Sequence, residues 1–240
     1  MTSPLKPPAP APTTRELYGF RDEASGMMMR FSTPNRRFDR WTAYADGARA
    51  SYRRHLVEHA LALPVVTPES RAPVFAIASD DSGKVWAGCY VNGPLRSVRD
   101  AYAPREFGAE PVSASLVTDW IEGALPYGVI ELKAVWVDAT AEHKSALADL
   151  MSRAFVHAIR VLGVRYAYCS AAEHAAPRWV NSGAVELPGI VPARYPDDRY
   201  RTTMLTWDGE TALERATDEQ RRLFEHDFRT ATGTEVPDAR

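Results

Sequence analysis

Glu131 is the residue whose type and setting best suit chemistry. Ahead of the closing Asp138, it is the one carboxylate inside an otherwise apolar, strand-like run, GVIELKAVWVD (128–138). Burial raises a carboxyl's pKa, so a partly buried glutamate can serve as a base near neutral pH. The matching chemistry is removal of a proton from an attacking amine, directly or through water. A competing reading pairs the same carboxylate with Lys133 or with an arginine of a neighbouring strand, because buried ion pairs also place acids in strands. Alternation sets Glu131 on the face of Lys133 and Val135, or opposite them if a bulge intervenes. Other residues offer less. His55 and His59 stand one helical turn apart, but no third ligand such as that of an HExxH pattern accompanies them, and no metal is expected. The loop PARYPDDRY (192–200) carries Arg194, Asp197, Asp198 and Arg199; its acidic pair could receive an amine, or the run could be a turn.

The elements that must position these groups follow from periodicity. GMMMRFST (26–33) has the length of a strand, and Pro34 and Asn35 break it. From Phe38 to Leu63, apolar residues recur every three or four positions, which predicts a helix with one buried face. PVFAIAS (73–79) and KVWAGCYVNG (84–93) flank DDSG and read as a hairpin. Short helical pieces are expected over Val98–Phe107 and Ser113–Ile121. The stripe Leu147, Leu150, Met151, Ala154, Phe155, Ala158 and Leu162 predicts a helix over Thr140–Leu162, with Thr140 as N-cap and Gly163 as the C-terminal stop. Amides at the start of that helix make a natural anion site. A strand at VRYAYCS (164–170), a short helix near Trp179–Gly183 and a closing strand YRTTMLTWD (200–208) complete the order.

Composition bounds the class. The chain has 240 residues, 45% hydrophobic and 25% charged, which is ordinary for a globular protein. A formal net charge of -2 gives no basic footprint for nucleic acid. No apolar run nears the length of about 20 residues that a membrane helix needs. The two cysteines, Cys89 and Cys169, sit in apolar runs and read as reduced core thiols, which fits a cytoplasmic protein. The start, MTSPLKPPAPAPTT, lacks an apolar h-region and reads as a Pro-rich disordered leader over 1–20. Residues 21–208 then form one domain, and 209–240 a surface helix and tail.

The order of elements across 26–208 resembles the GNAT superfamily of N-acyltransferases. That resemblance implies an α+β, three-layer fold with a mixed, mostly antiparallel central sheet, helices on both faces and a splayed strand pair. It implies that the pantetheine arm of an acyl thioester lies along Val135, Trp136 and Val137 and along Val164–Ser170, with Asn181–Gly183 nearby. The family's Gly-rich pyrophosphate turn is replaced by DATAEHKSA. Glu142 there, placed in the first helical turn, opposes a pyrophosphate, and His143 and Lys144 offset it in part. Within the superfamily, YVNGPLRSVRDAYAPREF, YGVIELKAVWVD and RWVNSGAVELPGI are similar to the acyl-homoserine-lactone and N-acyl amino acid synthase branch, a resemblance that implies an acyl carrier protein as donor, whose arm carries one phosphate. The arginine expected three residues after the strand glutamate is Ala134.

The family often supplies a tyrosine as general acid where Trp179 stands, and an indole cannot give up a proton near neutral pH. His174, Tyr195 or Tyr200 could replace it, and His174 falls where the thioester sulfur would lie. The expected function is transfer of an acyl group from acyl-CoA or acyl carrier protein to a small-molecule amine. Glu131 and His174 would be catalytic, Val135, Trp136, Val137, His143, Lys144, Ser170 and Asn181 would hold the donor, and an amide near Val137 would bind the oxyanion. Two alternatives stand beside it: a non-catalytic binding protein that lost the pyrophosphate loop, and a tailoring enzyme using acetyl-CoA.

Overall fold

A computed structural model of the chain describes residues 16–67 and 73–232. In chain order its elements are β1 (Tyr18–Arg21), β2 (Met28–Ser32), α1 (Phe38–Arg54), β3 (Val74–Ser79), β4 (Val85–Asn92), α2 (Ala103–Glu106), α3 (Pro111–Ala124), β5 (Val129–Val137), α4 (Lys144–Leu162), β6 (Tyr166–Ala172), α5 (Ala176–Asn181), β7 (Val185–Glu186), β8 (Thr202–Asp208), α6 (Ala212–Arg215) and α7 (Asp218–Thr230). The strands form one open sheet in the order β1-β2-β3-β4-β5-β6-β8-β7. Every pairing is antiparallel except β5 with β6.

Helices cover both faces. On one, α4 sets Leu147, Leu150, Met151, Ala154 and Phe155 against Ala76, Cys89, Ile130, Leu132 and Ala167 of the sheet. On the other, α1 packs Trp41, Tyr44, Ala45 and Ala48 against Phe75, Ile77 and Tyr90. Beside α1, the α2–α3 region packs Phe107, Val117 and Ile121 against Val129 and Tyr168.

β5 changes its facing partway along. Gly88 pairs with Trp136 and Tyr90 with Lys133, so Ala134 and Val135 together oppose the single Cys89. This is a β-bulge, and one extra residue reverses the alternation beyond it. Ile130 and Leu132 face α4 before the bulge; Val135 and Val137 face it afterwards, while Ala134 and Trp136 turn to α1. Ala134 adopts φ +48°, a left-handed conformation that costs a non-glycine residue about 1 kcal/mol.

Several expected boundaries move. The helix expected over 38–63 stops at Arg54, where Leu56 turns left-handed at φ +59° and a one-turn 3-10 helix follows at Glu58–Ala60. The helix expected from Thr140 begins at Lys144, because Asp138 Oδ1 accepts both the amide and the hydroxyl of Thr140 and holds it in a turn. Glu142 therefore precedes the helix rather than sitting in its first turn. The stop is as expected, with Gly163 left-handed at φ +61°.

The Pro-rich leader expected over 1–20 overlaps β1, whose Tyr18 and Phe20 are buried; residues 1–15 lie outside the described residues. The C-terminal segment is more than a surface helix, since α7 buries Leu223, Phe224, Gln220 and Asp227. Thr232 bridges to Gly19, and the rest of the expected tail is outside the described residues. Cys89 and Cys169 are both buried and unbonded. Among the described residues, no helix is long and apolar enough to cross a membrane.

Candidate active site

β5 and β6 pair only through Val129–Tyr166, Ile130–Ala167 and Glu131–Tyr168. Beyond that point β5 stays with β4 and β6 stays with β8, so the sheet opens between them. α1 packs on β5 here: the Tyr44 hydroxyl donates to the Ala134 carbonyl at 3.1 Å, on the bulge itself. Two glycines permit this approach. A Cβ on Gly88 would stand 2.7 Å from the Tyr44 ring, and one on Gly47 would stand 2.1 Å from the Trp136 ring.

The opening is a cavity of about 650 Å³. Its long walls are Leu132–Val137 of β5 and Cys169–Ala172 of β6. Tyr52, Arg54 and His55 close it from the end of α1, and Tyr195, Pro196 and Tyr200 from the loop before β8. That loop is tied down, since Arg199 Nη2 donates to the carbonyls of His55 and Leu56 at 3.2 and 3.3 Å.

Val135, Trp136, Val137, Ser170 and His174 of the expected site residues line this cavity. His174 is exposed at its edge, with its ring centroid 6.3 Å from that of Tyr200. His143, Lys144 and Asn181 do not line it. His143 and Lys144 are exposed where α4 begins; Asn181 is exposed at the end of α5, its carbonyl accepting the amide of Thr217. Trp179 borders the cavity but packs as core, with its ring centroid 5.5 Å from Phe155.

Glu131 is also outside the cavity wall and 0% exposed. Its Oε2 accepts Asn92 Nδ2 at 3.0 Å and the Tyr102 amide at 2.9 Å, and its Oε1 accepts the Ala103 amide at 3.0 Å. The carboxylate thus caps the start of α2. Burial pushes its pKa up, against the pull of Lys133 and of its N–H donors.

Regular alternation before the bulge puts Lys133, on the same face as Glu131, beside Glu106 at the end of α2. Lys133 Nζ donates to Glu106 Oε1, and Ser170 Oγ across the gap donates to Glu106 Oε2. Burial pulls the Lys133 pKa down, but Glu106 and Glu131 more than offset it and leave it raised. Burial likewise pushes up the Tyr195 phenol, with Glu106 adding to the rise. Glu106 is the residue sequence reasoning missed. Its partners lie 27 and 64 positions away, and nothing in the run REF marks it.

At the α4 end of the cavity, Arg178 donates to Asp149 Oδ1 at 2.5 Å and to the Ser145 carbonyl at 2.9 Å, fastening α5 over the helix start. Arg54 lines the same cavity. No side chain caps the first turn of α4, so its leading amides are placed to receive an anion. Asp138 stands just before it, held below the usual carboxylate range by the amide and then the hydroxyl of Thr140. Among the described residues, no group of three or more His, Cys, Asp and Glu could hold a metal ion.

No family model matches the chain. Uncharacterized proteins of Mycobacterium tuberculosis and Mycobacterium bovis are 38% identical to it over 180 residues, covering 75% of this chain and 68% of theirs. Among solved structures, it is similar to BjaI, a CoA-dependent acyl-homoserine lactone synthase with SAM and isopentyl-CoA. The TM-score is 0.54 at 14% identity, over 88% of this chain and 92% of that one. It is also similar to FeeM, an N-acyl amino acid synthase from uncultured soil microbes, with a TM-score of 0.51 at 12% identity, over 79% and 94% of the two chains. At these identities the likeness is one of fold, and the fold is GNAT-like, as the order of elements implied.

Proposed function

The chain belongs to the family of these mycobacterial proteins, and on its GNAT-like fold we propose that it is an N-acyltransferase, moving an acyl group from a thioester to the amine of a small molecule. The observation that carries the reading is the parting of β5 from β6 after Glu131, which leaves a slot with two strand edges as walls. A pantetheine arm is itself a chain of amides and can lie between such edges as a third strand would. In this reading it runs between Val135–Val137 and Ser170–Ala172. The reacting carbonyl turns to the β5 edge, where no strand competes for the amides, and an N–H near Val137 stabilises the oxyanion. The amine attacks the carbonyl carbon, a C–N bond forms, and the C–S bond breaks. His174, at the cavity edge, gives the departing thiolate its proton.

The acceptor enters from the other side, past Tyr52, Tyr195 and Tyr200. At the donor's phosphate end, Arg54, Arg178 and the leading amides of α4 favour an anion, while Asp138 opposes a highly charged one. This balance suits the single phosphate of an acyl carrier protein's arm better than the several phosphates of a coenzyme A. FeeM and BjaI support the reading to the extent that an N-acyl amino acid synthase and an acyl-homoserine lactone synthase share this fold.

The test is thiol release from acetyl-CoA, octanoyl-CoA and octanoyl-acyl carrier protein, each offered with amino acids and with alkyl and aryl amines. Amine-dependent release is expected, fastest from the carrier protein. Silence with every donor and amine overturns the reading in favour of a binding protein. Release from acetyl-CoA alone overturns the carrier preference and points to a tailoring enzyme.

A further inference from the structure

We propose that Glu106, rather than Glu131, takes the proton from the attacking amine, with the Ser170 hydroxyl as the relay; this rests on the acyl-transfer reading above. Glu106 lies just behind the wall of the slot and is 8% exposed. Ser170 and Lys133 are wall residues on opposite sides of the gap, and both donate to its carboxylate. One carboxylate therefore bridges the two parted strands close to where their pairing ends. Lys133 offsets the charge of the buried carboxylate. Ser170 presents an oxygen to the cavity and a proton to Glu106, which is the arrangement a relay requires.

Glu131 is committed elsewhere. Both of its oxygens accept hydrogen bonds, two of them from the amides that begin α2. Because α2 runs from Ala103 to Glu106, the Glu131 cap sets where Glu106 stands. Glu131 is thus a positioning residue, acting through the helix it caps.

The protons balance. An acceptor ammonium gives one proton to Ser170 Oγ as Ser170 passes its own to Glu106, and the free amine attacks the thioester. The nitrogen sheds its second proton to solvent as the C–S bond breaks, and the thiolate takes up a proton from His174, which solvent then replaces. The amide keeps the third, and Glu106 returns its proton to solvent.

Thiol release is followed across pH for the unaltered protein, Glu106→Gln, Ser170→Ala and Ser170→Thr, with octanoyl-carrier protein and the amine panel above. Donor affinity is measured separately, with a non-reactive thioether analogue of octanoyl-CoA. Glu106→Gln should lower kcat about 10²-fold, with analogue affinity unchanged. Ser170→Ala should cost about tenfold, water substituting for the hydroxyl, and Ser170→Thr should restore most of it. Should Glu106→Gln fail to fold, the serine pair decides the matter by the same readouts. The proposal is overturned if Glu106→Gln works within about twofold of the unaltered protein. It is overturned equally if Ser170→Ala is as active as Ser170→Thr. If the unaltered protein releases no thiol, the transfer reading itself falls and takes this proposal with it.

Discussion

The hydroxyl of Tyr44 and the carbonyl of Ala134 meet at 3.1 Å across 90 positions of sequence, and this bond tethers the bulge of β5 to α1. The tyrosine is fully buried, and burial holds its phenol well above the ordinary range, so the group is a donor at any working pH. Tyr44→Phe leaves that carbonyl without its donor and should cost about 1–3 kcal/mol. Denaturant unfolding would give the stability change. A variant as stable as the parent would show that the bulge is held by packing alone.

Gly47 is where α1 lies against the Trp136 indole. Gly47→Ala would place a methyl 2.1 Å from that ring, so either the helix or Trp136 must move. Since Trp136 forms part of the cavity wall, donor affinity should fall about tenfold or more, with secondary structure retained. Calorimetric titration with the thioether analogue checks this, and unchanged affinity would place the arm elsewhere.

Asp138 places a carboxylate at the turn before α4. Asp138→Asn removes that charge, and at a half-buried site screened by water such a change is worth about 1 kcal/mol, or about fivefold in Kd. Coenzyme A should therefore bind more tightly to the variant, with the gain fading as salt is raised. A weaker or salt-independent change would mean that phosphate does not approach this turn.

Behind α4, Arg153 is fully buried and donates to Asp22, to Asp227 at 2.9 Å and to Gln220 at 3.0 Å, joining α4 to the β1–β2 turn and to α7. Arg153→Ala strands two buried carboxylates and should cost about 3–5 kcal/mol. Combining Arg153→Met with Asp22→Asn and Asp227→Asn should recover much of that loss, because no charge is left unpaired. The unfolding midpoints of the two variants make the comparison, and equal midpoints would contradict it.

His157 completes the same network, with Nε2 3.2 Å from Asp227 Oδ2, Nδ1 3.2 Å from the Tyr18 hydroxyl and the Phe20 ring tilted against it at 4.4 Å between centroids. Burial lowers its pKa from the ordinary 6.5, against the opposing pull of Asp227. The unfolded chain therefore binds this proton first as pH falls, and the stability held above about pH 6.5 is lost progressively below it. Melting temperature should drop between about pH 7 and about pH 5. His157→Phe should flatten that part of the profile; an equally steep drop in the variant would assign it to other groups.

The amino-acid sequence determined what depends on neighbours along the chain. The apolar stripe of α4 is buried where its spacing put it, Gly163 ends that helix in the left-handed conformation, and the hairpin Val74–Asn92 turns where Asp81 and Gly83 stand. The succession of strands and helices was sufficient to imply the GNAT-like sheet. Boundaries failed where a side chain competed locally, as Asp138 captured Thr140, or where a distant group met the chain, as Arg199 met the carbonyls ending α1. Only the tertiary structure decided which carboxylate caps a helix start and which bridges the two parted strands. Glu131 stood out because periodicity marks an acid among apolar residues, yet its partners at Tyr102 and Ala103 were not visible. Glu106 carries no such mark, because its setting is made by Lys133 and Ser170 from two strands that part around it. Periodicity reports which side of an element is buried; what a buried polar atom bonds to depends on chain folded back from far away, and that is set by packing.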